Sequence, residues 1–103
     1  MADGSFLHIS FNFHGQPKVD ELLPAFNKAL DWVRYAPNCW IVWTTVDTER
    51  WYNRLKPLIG ADDQMLIIGI DKDVRNGWLP KWVWEWLDKD RSVGAPKAPA
   101  PDA

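Results

Sequence analysis

Asn38-Cys39-Trp40-Ile41-Val42-Trp43-Thr44-Thr45 is the stretch around which the rest of the chain must pack. β-Branched and aromatic side chains fill both of its alternation classes, and the turn-forming Pro37-Asn38 stands at its start, so it reads as a strand. Cys39, Ile41 and Trp43 then point to one side of a sheet and Trp40 and Val42 to the other. Each side therefore needs an apolar cover. Helices can supply one cover; the other calls for the terminal segment or a second subunit.

Working outward toward the N-terminus, residues 6–13 alternate, with Leu7, Ile9, Phe11 and Phe13 on one face and Phe6, His8, Ser10 and Asn12 on the other. Between the two strands, Val19, Leu22, Leu23, Phe26, Leu30 and Val33 recur at helical spacing, interrupted by Pro24. The helix either begins near Leu23 or has a first turn over residues 18–22 before a kink. Its far end either runs to Tyr35 or stops near Asp31, leaving residues 32–35 extended.

Toward the C-terminus, Asp47 or Thr48 is an N-cap and Glu49 places a carboxylate at the positive end of a second helix. Trp51, Leu55, Leu58 and Ile59 form its stripe, with Pro57 loosening the last turn and Gly60 as the stop. Residues 65–70 are a continuous apolar run, expected as a second two-sided strand. After the turn signal Asn76-Gly77, Pro80 opens a short Trp-rich helix that buries Trp82, Val83, Trp86 and Leu87 and leaves Trp84 as the exposed ring. Residues 6–89 are expected to form one domain, and the Ala/Pro-rich residues 90–103 a disordered tail.

With 103 residues, 47% of them hydrophobic, the chain has material for one core and not two. A net charge of -2 gives no general support to binding a phosphate backbone, although a local basic patch remains compatible with it. Cys39 is the single cysteine, so it has no intrachain partner, and its apolar setting suits a small core hydrophobe. No Cys/His spacing suggests zinc, and neither a metal nor a cofactor is expected. No apolar run reaches membrane-span length and no signal-peptide pattern opens the chain, so the expectation is a cytoplasmic protein without a membrane partner. Eight tryptophans imply either a core of few large pieces or rings at an interface.

Two strand–helix–strand units in so short a chain point to an α+β, ferredoxin-like βαββαβ sandwich, with two helices on one face of an antiparallel sheet and the Trp-rich helix appended. Ile9-Ser10-Phe11-Asn12-Phe13, the segment from Cys39 to Thr44, Arg54-Leu55-Lys56-Pro57-Leu58 with the following residues 62–68, and Trp78 with Trp86-Leu87 resemble the small bacterial SinR-like proteins. That family is similar in pattern to the small ferredoxin-like subunit of the CRISPR adaptation complex. The resemblance implies the same fold and a dimer whose sheets meet face to face. It also implies a metal-binding aspartate at the end of the first strand, where this chain has Asn12. An amide is a poorer ligand for a hard cation than a carboxylate and brings no charge, which weakens the case for metal-dependent phosphodiester cleavage.

Two groups of candidate residues follow. Asn12, His14, Asp62 and Asp63 would gather at one sheet edge if the first and last strands are antiparallel neighbours, either as a weak ligand site or as ordinary turn residues. Trp40, Val42, Trp43, Met65, Leu66, Ile68 and Trp84 are the candidate dimer interface. His8 is a candidate for a pH-sensitive contact there. The Trp78–Trp86 run is either a stacking platform for bases or core and interface packing; its basic neighbours are offset by Glu85, Asp88 and Asp90. The expected function is a non-catalytic homodimeric interaction or scaffold module. The alternatives are a metal-dependent nuclease and a nucleic-acid-binding protein using Trp84.

Overall fold

The computed structural model describes residues 4–91. The elements are β1 (Ser5–Asn12), α1 (Val19–Phe26), β2 (Asp31–Ala36), β3 (Cys39–Thr44), α2 (Thr48–Leu55) with a 3-10 turn at Lys56–Leu58, β4 (Gln64–Ile70) and α3 (Lys81–Asp88). The chain is thus a small α+β structure with one four-stranded antiparallel sheet in the order β2-β3-β1-β4. Among the described residues no helix is long and apolar enough to cross a membrane. The disordered tail expected from residue 90 lies, beyond Arg91, outside the described residues.

The segment after α1 adopts the extended alternative, because β2 begins at Asp31. α1 starts at Val19 and carries Pro24 inside it; Leu22, Ala25 and Phe26 are buried, whereas Leu30, placed on the helical stripe by spacing, lies beyond the helix and is exposed. Asp47 is the N-cap of α2, its carboxylate accepting from the Arg50 N–H at 2.9 Å. Pro57 falls in the 3-10 turn, so only Trp51 and Leu55 of the expected stripe are deeply buried, and Leu58 and Ile59 pack at the margin.

The register decides which side chains share a face. Ile9 stands opposite Trp40 and Ile67, and Leu7 opposite Val42 and Gly69. These side chains meet α1 and α2 in the larger core, where Phe26 stacks on Trp40 at 4.6 Å and also lies against Trp51 at 5.9 Å. Trp51 Nε1 donates to Thr44 Oγ1 at 3.1 Å, whereas the buried Trp40 Nε1 has no partner among the described residues. The opposite face carries Phe6, Val33 and Ile41, and α3 closes over them with Trp86 and Leu87. The architecture is three-layered, with α1 and α2 below the sheet and α3 covering part of its top.

Candidate functional site

On the top face the strand register forms rows across β4, β1 and β3. Ile70, Phe6 and Trp43 make the first row, Ile68, His8 and Ile41 the second, and Leu66, Ser10 and Cys39 the third. α3 packs over Phe6, Ile41 and Val33. Tyr35, Trp43 and Ile70 pack at the margin of that cover. Leu66 and Ile68 remain 55% and 49% exposed, and His8, Ser10, Tyr35 and Cys39 are half-buried beside them.

At the centre of this open half-face the Tyr35 hydroxyl lies 2.6 Å from His8 Nε2, with Cys39 near enough to act on its ionisation. Burial lowers the His8 pKa from its ordinary 6.5, which keeps the ring neutral at pH 7. Burial, reinforced by Cys39, pushes Tyr35 up to about 12. The patch, made of Leu66, Ile68, Ser10, His8, Tyr35 and Cys39, thus contains no Asp, Glu, Lys or Arg.

Among the described residues β4 is also an edge strand, paired only with β1, and Gln64–Ile70 contains neither a charged residue nor proline. The opposite edge, β2, carries Asp31 and Arg34. Edge strands usually discourage further pairing with charge, proline or a bulge. β2 has charge and an irregularity between Arg34 and Ala36. β4 has neither charge nor proline.

The other predicted interface residues divide accordingly. Trp40 and Val42 are fully buried beneath α1 and α2, so neither is available to a partner; the helices cover the Trp40/Val42 side of β3. Met65 also points to the helix side and packs at the core margin. Trp43 belongs to the top face but is half-covered, its ring tilted against Phe6 with centroids 4.8 Å apart. Trp84 is not the exposed ring of α3. It lies against the loop at Gly77, with the Arg75 guanidinium 5.0 Å from its ring, and Arg75 is held in turn by Asp88 at 2.9 and 3.1 Å. Trp82, expected in the core, is 37% exposed instead, and Trp78 in the preceding loop is 99% exposed.

The predicted edge cluster does assemble in part, but as a fastener. Asp63 accepts from the His14 N–H at 2.8 Å and the Gly60 N–H at 2.7 Å, and Lys18 Nζ stands 3.5 Å away. The two backbone bonds, assisted by Lys18, hold its pKa below the ordinary carboxylate value. Its side chain is 3% exposed, so both oxygens are already engaged in tying two loops together. Asn12 donates to Gln64 Oε1 at 2.8 Å across β1 and β4. Asp62 is exposed in the turn and takes no part in these bonds. Among the described residues no group of three or more His, Cys, Asp and Glu side chains is placed to hold a metal ion.

One buried ionic site was not anticipated by spacing. Asp31 is 5% exposed and pairs with Lys89 at 2.8 Å and Arg91 at 3.4 Å. The Arg91 guanidinium is caged by Trp86, Phe6 and Trp43 at 4.4, 5.1 and 5.7 Å. This pair locks the end of α3 onto β2 and thereby fixes how far the helix covers the top face. No local pattern signals it, since Arg91 and Asp31 are 60 residues apart in the chain. No family model, curated protein or solved structure matches the chain.

Proposed function

We propose that the protein is a small non-catalytic interaction module of ferredoxin-like fold that works as a homodimer, joined through the open half of its top face. The element order βαββαβ and the strand order β2-β3-β1-β4 support the fold reading. The observation that carries the dimer is the exposed pair Leu66 and Ile68 on an uncharged edge strand. In a two-fold contact each patch meets its own copy, so a patch of one charge sign would repel itself. This patch carries none.

Leu66 and Ile68 are about half exposed, and covering them contributes on the order of 1 kcal/mol per side chain, or about 4 kcal/mol over both copies. The test is sedimentation equilibrium of the wild type and of a variant carrying Leu66→Lys and Ile68→Lys. The expected outcome is a wild-type dimer and a folded monomeric variant with an unchanged circular dichroism spectrum. A wild-type chain that stays monomeric at high micromolar concentration overturns the reading.

A further inference from the structure

We propose that protonation of His8 dissolves this dimer, making self-association through the open half-face sensitive to mild acid. The inference rests on the self-association reading above and adds its regulation. His8 stands directly opposite Ile68 in the β1–β4 register and opposite Ile41 in the β1–β3 register, so the imidazole is set among the side chains that a second copy would cover. A neutral ring, hydrogen-bonded to Tyr35, can enter an apolar contact. An imidazolium enters only at a large desolvation cost unless an anion meets it.

Among the described residues no carboxylate is hydrogen-bonded or ion-paired to His8. The groups facing His8 are Tyr35 from β2 and Cys39 from β3, while its β4 neighbours Leu66 and Ile68 carry no charge. Beyond Tyr35 the adjoining cleft is bordered by Asp71, Lys72 and Arg75; Lys72 is paired with Asp73 and Asp88, and Arg75 with Asp88. Asp71 accepts from the Asp73 N–H within its own loop. In the two-fold contact His8 meets the same uncharged patch on the partner copy.

The sign follows from linkage. The monomer already holds the His8 pKa below 6.5, and the dimer lowers it further, so the dimer binds fewer protons than two monomers. Association is at full strength above the monomer's pKa and weakens as pH falls through it. With two His8 rings per dimer, the dissociation constant rises by up to about a hundred-fold per pH unit below that point.

Sedimentation equilibrium between about pH 8 and pH 5, above the range where ordinary carboxylates titrate, reads this directly. The expected result is a flat dissociation constant near neutrality and a steep rise in acid for the wild type. His8→Gln, which keeps a polar partner for Tyr35 without a charge, should be flat throughout, and His14→Gln should behave as wild type. Equal affinity at both ends of the range overturns the proposal, as does a pH dependence that survives in His8→Gln. A monomer at about pH 8 instead removes the dimer itself, a distinct failure visible before any acid is added. Should His8→Gln fail to fold, the His8 ring-proton titration in the wild type decides: its midpoint must fall as protein concentration rises, and a concentration-independent midpoint overturns the proposal.

Discussion

The two faces of the sheet are built from the same four strands and are finished differently. On the lower face α1 and α2 cover Leu7, Ile9, Phe11, Trp40 and Val42 with aromatic stacking centred on Phe26. On the upper face a single short helix covers Phe6, Val33 and Ile41 and stops, leaving Leu66 and Ile68 in solvent. The difference separates stability from association: one face holds the fold together, and half of the other is left over after folding.

The sharpest way to break that comparison is to remove a large ring from the closed face. Trp51→Ala empties a fully buried site and also deprives Thr44 Oγ1 of its indole donor, so a loss of about 4 kcal/mol is expected in chemical denaturation. A cost near zero would mean that the lower face is not the main core. Arg91→Ala probes the covered part of the upper face; it removes the caged guanidinium and leaves Asp31 with the Lys89 ammonium and the Trp32 N–H, at an expected cost of about 2 kcal/mol. Ile68→Lys probes the open part. At protein concentrations low enough to keep the wild type monomeric, its stability should change by no more than about 0.5 kcal/mol, because the side chain is already half in water.

The smallest effect concerns the Asp63 fastener. Its folded pKa is depressed, so its contribution is fully present above the ordinary value of 3.8 and is lost as pH falls through the depressed one. Asp63→Asn should therefore flatten the acid limb of the stability–pH curve while leaving the dissociation constant at neutral pH unchanged. A changed dissociation constant would place this edge in the interface.

Much of the element pattern was legible because it is local. The alternation in β1 and β3, a cap at Asp47 or Thr48 and the one-sided burial of Trp51 and Leu55 depend on near neighbours in the chain; the structure contains the alternation and the burial and takes Asp47 of the two caps. Reading failed where a helix had to choose its face. In α3 the same spacing allows either Trp82 or Trp84 to turn inward, and the loop at Gly77 together with Arg75 draws Trp84 under cover. β4 is present as expected, beside β1, but a continuous apolar run looks alike whether its second face is covered or open, so the exposure of Leu66 and Ile68 is not written in the run itself. The edge cluster was partly legible, since antiparallel β1 and β4 do bring Asn12 and His14 beside residues 63 and 64. That Asp63 would spend its oxygens on backbone donors was not.

The amino-acid sequence by itself determined β1, β3 and β4, the presence of the three helices and the division of β3 into a Trp40/Val42 side and an Ile41/Trp43 side, because a two-residue repeat is a property of the extended backbone, and it left residues 32–35 open between helix and strand. Tertiary structure alone decided which side the helices cover, that β4 lies at an edge, and that Arg91 closes onto Asp31. Those outcomes depend on strand order and on contacts between distant segments, and periodicity is blind to both. Whether Leu66 and Ile68 are buried or exposed is a fact about what lies above them, and no repeat within β4 encodes it.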